Sequence, residues 1–61
     1  MPMVRIELFK GRTRAQKAAA AKEVTEALAR TIGSRSEDTQ IIFVDIERHD
    51  WADDGKLCDE S

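Results

Sequence analysis

Residues 13–33 read TRAQKAAAAKEVTEALARTIG, a stretch dominated by residue types that favour helices. At its start, Thr13 and Gln16 have the spacing of a capping box, in which each side chain accepts a hydrogen bond from the other residue's backbone N–H. At its end, Gly33 is the residue type that most often closes a helix. Apolar residues recur at helical spacing at Ala20, Val24, Ala27, Leu28 and Ile32. The stretch therefore predicts one helix from Arg14 to Ile32.

The segments on either side of this helix have the patterns of β-strands. Residues 3–9, MVRIELF, alternate apolar and charged side chains, which predicts a strand with one apolar face. Residues 40–47, QIIFVDIE, carry apolar side chains on both faces, so we expect a strand buried on both sides. Two strands joined by a helix predict a β-α-β crossover with parallel strands and a right-handed connection. The expected fold class is α+β, with residues 1–61 as a single domain.

The C-terminal segment has turn chemistry. Residues 48–61 contain the sole tryptophan, Trp51, and the turn-forming sequence Asp-Asp-Gly at 53–55. These features predict a short hairpin or arm that reaches a neighbouring subunit.

The chain is too short to rely on its own core. A domain of 61 residues buries only about 60% of the surface that its unfolded form exposes. A single cysteine, Cys58, and a single histidine, His49, exclude an internal disulfide and a self-contained zinc site. One helix also covers only one face of a two-stranded sheet, which leaves Ile41 and Phe43, or their opposite-face neighbours, without a partner inside the chain. We therefore expect an oligomer.

Charge and hydropathy narrow the classes of partner. The net charge is −2 with acids and bases interspersed, so the sequence predicts no nucleic-acid or membrane partner. No apolar run approaches the roughly 20 residues of a membrane span, and the N-terminus lacks the layout of a signal peptide. We expect a cytoplasmic protein with a reduced Cys58, no metal site and no cofactor.

Pro2 is the residue with the most unusual potential chemistry. Cytosolic processing normally removes an initiator methionine that precedes proline, which would leave Pro2 with a free secondary amine that is both a base and a nucleophile. While Met1 is attached, the same nitrogen is an amide and has neither capacity. Proline is also a common second residue without a catalytic role, so Pro2 alone does not decide the function.

Several motifs are similar to those of one family over nearly the whole chain. They are Pro2 before strand one, Leu8-Phe9-Lys10-Gly11-Arg12-Thr13 followed by Gln16-Lys17, Val24-Thr25-Glu26-Ala27, and Trp51 before a glycine-containing hairpin. With these motifs the chain resembles the 4-oxalocrotonate tautomerase family. The resemblance implies a β-α-β subunit that forms dimers through a four-stranded sheet and assembles as a homohexamer, a trimer of dimers.

The resemblance also implies a function, the keto–enol tautomerisation of a small 2-oxo acid. In that mechanism the neutral amine of Pro2 is the general base, and it needs a pKa near the working pH, which burial and a nearby cation both favour. Arg12 matches the family arginine that binds the substrate carboxylate. The planar guanidinium suits this role because it can donate two parallel hydrogen bonds to a carboxylate. Trp51 matches the aromatic residue that walls the site, although a sole tryptophan also suits a core or interface position.

Two departures from the family pattern leave alternatives open. Where the family has a second arginine that polarises the substrate carbonyl, this chain has the uncharged Gln40. The enolate would then be less well stabilised, unless Arg5, Arg35 or Arg48 of some subunit supplies the missing charge. Where relatives have a glycine pair in the hairpin, it has Asp53-Asp54-Gly55. One alternative is a hydratase, dehalogenase or decarboxylase that uses Asp45 or Glu47. The other is a non-catalytic subunit of a hetero-oligomer.

Overall fold

A computed structural model describes residues 1–60 of the chain and places two parallel strands side by side. Strand β1 is Met3–Phe9 and strand β2 is Gln40–Ile46, with Met3 opposite Gln40 at one end and Phe9 opposite Ile46 at the other. The predicted parallel pairing is confirmed, and β2 ends one residue earlier than expected. Ser61, the last residue of the predicted arm, lies outside the described residues.

Helix α1 is Arg14–Ile32, as the sequence predicts. The backbone N–H of Gln16 donates to the Thr13 hydroxyl at 3.1 Å, and the N–H of Thr13 donates to the Gln16 side-chain oxygen at 2.9 Å. Both bonds of the capping box are therefore present. Gly33 ends the helix in the left-handed region with φ 72°.

Helix α1 covers the face of the sheet that carries the alternating apolar residues of β1. This face holds Ile6, Leu8 and Phe43, which are half-buried against the helix. On the opposite face, Met3 and Ile42 are 46% and 40% exposed. The expectation of a β2 buried on both sides is therefore not met within one chain, because the layer that would cover Ile42 is not part of it.

Ile32 is the last of the apolar residues that recur at helical spacing in α1, and it is 65% exposed. The reason is one of length. The 19-residue helix is about 28 Å long, whereas a seven-residue strand is about 23 Å long, so the last helical turn extends past the sheet.

The overall dimensions are those of an open layer. No side chain among residues 1–60 is fully buried. The accessible surface is 4881 Å², against about 4,000 Å² for a typical monomer of this mass. The radius of gyration is 14.5 Å, against about 10.5 Å for a compact domain of this length. Both values favour association with further subunits.

The C-terminal segment forms the predicted hairpin. After a 3₁₀ turn at Arg48–Asp50, strand β3 (Ala52–Asp53) pairs antiparallel with strand β4 (Lys56–Leu57). The two residues between the strands, Asp54 and Gly55, have φ values of 53° and 77°, as a type I′ turn requires. None of the helices in the described part of the chain combines the length and the apolar character needed to cross a bilayer.

Candidate active site

Pro2 lies at the end of the sheet, immediately before β1. The backbone N–H of Gln40 donates to the Pro2 carbonyl at 3.0 Å, which fixes Pro2 beside the first residue of β2. Pro2 is half-buried, whereas Met1 is 87% exposed and open to removal. Pro2 and Gln40, two of the predicted site residues, are therefore neighbours in one chain.

Arg12 lies in the loop between β1 and α1. Gly11, with φ 133°, turns the chain away from the sheet, and Arg12 directly precedes the helix cap at Thr13. Arg12 lines an open cleft of about 240 Å³ between helix and sheet, whose apolar wall includes Leu8 and Phe43. No ion pair within residues 1–60 involves its guanidinium. The group is thus free to bind an anion.

Trp51 belongs to a compact aromatic group at the far end of the sheet. Its ring centroid lies 4.7 Å from that of Phe9, with the ring planes tilted by 51°. The guanidinium carbon of Arg48 lies 4.2 Å from the centroid of the same Phe9 ring. We call Phe9, Arg48 and Trp51 the Phe9 cluster. No local spacing in the sequence signals it, because Phe9 comes from β1 and the other two residues come from the segment after β2.

The predicted site residues fall into two groups that one chain keeps apart. Pro2 and Gln40 lie where the strands begin, whereas Arg12 and Trp51 lie beyond the point where β1 ends. The intervening seven-residue strand is about 23 Å long. This distance is far more than a small acid can bridge, so one chain does not bring the four predicted site residues together.

The acidic residues considered for water activation are both paired with lysines. The ammonium nitrogen of Lys17 lies 2.9 Å from each carboxylate oxygen of Asp45. Glu47 is 3.2 Å from the ammonium of Lys10. Each acid therefore has a cationic partner within its own chain.

The remaining candidate groups are at the surface or lack a neighbouring base. His49 and Asp50 approach to 3.5 Å but are both exposed. Cys58 is a free, half-buried thiol whose backbone N–H donates to the Trp51 carbonyl at 2.8 Å.

Similarity to known proteins was found at the level of sequence family and of individual relatives. The family model described as "Tautomerase enzyme" matches residues 2–60. A probable tautomerase of Streptococcus pneumoniae serotype 4 is 44% identical over 57 residues, which cover 93% of this chain and 95% of that protein. A probable tautomerase of Ralstonia nicotianae is 37% identical over 60 residues, which cover 98% of this chain and 92% of that protein.

Solved structures give the same result for the fold. YwhB, a homologue of 4-oxalocrotonate tautomerase, superposes with a TM-score of 0.93 at 28% identity over 98% of both chains. A 4-oxalocrotonate tautomerase isozyme from Methylibium petroleiphilum gives 0.88 at 29% identity over 95% of this chain and 94% of that one. With the β-α-β subunit and the family match over nearly its whole length, the chain belongs to the 4-oxalocrotonate tautomerase family.

Proposed function

We propose that this protein is a cofactor-independent isomerase that interconverts the enol and keto forms of a small 2-oxo acid. Pro2 is the general base after removal of Met1, and Arg12 binds the substrate carboxylate. The observation that carries the proposal is the 3.0 Å hydrogen bond from the Gln40 N–H to the Pro2 carbonyl. It holds the nitrogen that becomes the terminal amine at a fixed, half-buried position at the end of the sheet.

The proposed reaction is a proton transfer with no change of oxidation state. The neutral Pro2 amine takes the proton from the enol hydroxyl as the C–O bond becomes a carbonyl. The resulting ammonium gives the proton to the carbon next to that carbonyl, which loses its double bond. Negative charge develops on the substrate oxygen during the transfer and needs hydrogen-bond donors aimed at it. The Gln40 amide is one such donor beside Pro2. The guanidinium of Arg12, unpaired among residues 1–60, holds the carboxylate.

The proposal includes assembly, because the two halves of the site lie at opposite ends of β1. A site with all four residues forms when the Pro2 end of one subunit meets the Arg12 and Trp51 end of another. The open sheet face around Ile42, which is 40% exposed, offers the surface for such contacts. We propose a homo-oligomer, and a hexamer is the expected size. Removal of Met1 is a cytosolic step, which agrees with the expected cytoplasmic location.

The test combines an intact mass with an activity assay. We expect the purified protein to lack the mass of one methionine residue and to ketonise phenylenolpyruvate or 2-hydroxymuconate. Pro2→Ala, also processed, is expected to lose about 100-fold or more in kcat because it lacks the secondary amine. Size-exclusion chromatography checks that both proteins assemble alike. Unchanged turnover in processed, assembled Pro2→Ala would refute the role of Pro2.

A further inference from the structure

The Pro2 end of the proposed site lacks a cation that could stabilise the negative charge of an enolate. The backbone N–H of Gln40 donates to the Pro2 carbonyl, which places Gln40 beside Pro2. The side-chain amide of Gln40 is a hydrogen-bond donor that carries no positive charge. A hydrogen bond from a charged donor is roughly twice as strong as one from a neutral donor. A developing enolate held by Gln40 alone therefore lacks the stabilisation that a cation provides.

Three arginines distributed over the chain are candidates to supply that cation, and two of them are engaged. Arg5 lies 3.9 Å from a carboxylate oxygen of Glu7. Arg35 lies 3.3 Å from Glu37 and 2.8 Å from Asp38. Each of these arginines therefore has an acidic neighbour in its own chain, through a hydrogen bond in the case of Arg35 and through a longer contact between exposed side chains in the case of Arg5.

Arg48 differs from both because no ion pair within residues 1–60 includes it. The preceding acid, Glu47, is taken by Lys10 at 3.2 Å. Asp59 lines the same shallow depression as Arg48 without coming within ion-pair distance of it. Arg48 instead lies over the Phe9 ring, with its guanidinium carbon 4.2 Å from the ring centroid. Stacking on a ring face leaves the N–H groups at the edge of the guanidinium plane free to donate.

The Phe9 cluster also determines where Arg48 goes in the assembly. Arg48 and Trp51 contact the same Phe9 ring, at 4.2 Å and 4.7 Å. The Arg48 guanidinium therefore lies no farther from the Trp51 ring centre than the sum of these two distances, so a subunit arrangement that brings Trp51 against Pro2 of a neighbour also brings Arg48 close to that site. The Phe9 ring lies against the Arg48 guanidinium, while Arg48 as a whole stays exposed within one chain and accessible to a neighbouring subunit.

We propose that Arg48, held on the Phe9 ring, donates to the developing enolate oxygen in the site of a neighbouring subunit and supplies the positive charge that Gln40 lacks. This inference rests on the function proposed above. Arg48 keeps its protons throughout, while the transferred proton moves from the enol hydroxyl to Pro2 and then to carbon.

The first experiment compares Arg48→Gln with Arg35→Gln, a control that removes an equal charge from an engaged arginine. Both assembled proteins are assayed for phenylenolpyruvate ketonisation. We expect kcat of Arg48→Gln to fall about 100-fold, with KM changed less than about three-fold, because the contact forms in the transition state. Arg35→Gln should stay within about two-fold of the unaltered protein. Retention of kcat in assembled Arg48→Gln, while Pro2→Ala is inactive, would overturn the role of Arg48 alone.

The second experiment separates charge from packing by restoring the charge elsewhere. Gln40→Arg added to Arg48→Gln is expected to recover kcat at least ten-fold, since the two positions serve the same oxygen. Gln40→Arg cannot repair packing on Phe9, so failure of the rescue would show that Arg48 only supports the Phe9 cluster. Should Pro2→Ala prove fully active, the proposed function and the role of Arg48 both fail.

Gln40→Arg alone gives a test that does not require Arg48→Gln to assemble. If Arg48 already supplies the charge, the single change should raise kcat by less than about three-fold. A gain of about 100-fold would show that the position is unfilled in the natural protein and would overturn the proposal.

Discussion

Arg12 lines the cleft between α1 and the sheet and has no ion-pair partner among residues 1–60. If it binds the substrate carboxylate, Arg12→Gln should raise KM for phenylenolpyruvate by about 10- to 100-fold, the value of one charged hydrogen bond. We expect kcat to change much less, because the carboxylate is bound alike in the ground and transition states. Arg14→Gln, which removes a nearby cation that does not line the cleft, is the matched control. Equal KM values for the two variants would contradict the assignment.

The pair between Lys17 and Asp45 tests the hydratase and dehalogenase alternatives. The Lys17 side chain is only 26% exposed, so Asp45→Asn leaves a half-buried ammonium without its charged partner. We expect a loss of about 1 kcal/mol in the free energy of unfolding, measured with urea, and an unchanged kcat for ketonisation. Glu37→Gln, which breaks an exposed pair, should lose less. Loss of activity toward a haloacrylate in Asp45→Asn would instead support an acid that activates water.

At the residue scale, the sequence identified single groups but not their neighbours. The contact between Pro2 and Gln40 follows from a parallel register that pairs Met3 with Gln40, and such a register is hard to read from one sequence. The stacking of Arg48 on Phe9 depends on how the chain turns after β2, which no periodicity encodes. Local patterns therefore predicted candidate groups, while tertiary contacts show which of these groups have charged partners within the chain.

The N-terminal cap of α1 should make a measurable contribution to stability. Thr13→Ala removes the acceptor of the 3.1 Å bond from the Gln16 N–H, so we expect a loss of about 1 kcal/mol. The urea midpoint is to be compared at one fixed protein concentration, because assembly also contributes to stability. Thr31→Ala, which loses only a bond to the Ala27 carbonyl inside the last turns, serves as the control. Equal losses in the two variants would argue against a specific role of the cap.

Helix and hairpin were the most predictable elements, because local chemistry specifies both. The capping box and Gly33 set the limits of α1, and the Asp54-Gly55 pair gives the positive φ angles of a type I′ turn. The burial of β2 and the exposure of Ile32 were less predictable. The burial of β2 depends on a second layer that is not part of one chain. The exposure of Ile32 depends on the strands being shorter than the helix.

The open face of the sheet should control assembly of the whole molecule. Ile42 is exposed there and lies opposite Arg5 in the strand register, so Ile42→Lys adds a charge beside a like charge. We expect Ile42→Lys to shift the protein toward smaller species in analytical ultracentrifugation and to lose ketonisation activity. Ile32→Lys alters the more exposed apolar residue at the helix end and should preserve both. An Ile42→Lys protein of unchanged size would rule out this face as the interface.

The position of Pro2 and Arg12 at opposite ends of one strand has a genetic consequence. If each site draws these residues from different chains, a gene defective at one position can complement a gene defective at the other. Co-expression of Pro2→Ala and Arg12→Gln chains would give about one quarter of the sites both natural residues by random mixing. Sites built within single chains would recover none. In that case natural selection acts on the activity of the whole assembly. Substitutions near Pro2 in one copy are then tolerated only if they fit the residues around Arg12 in another copy.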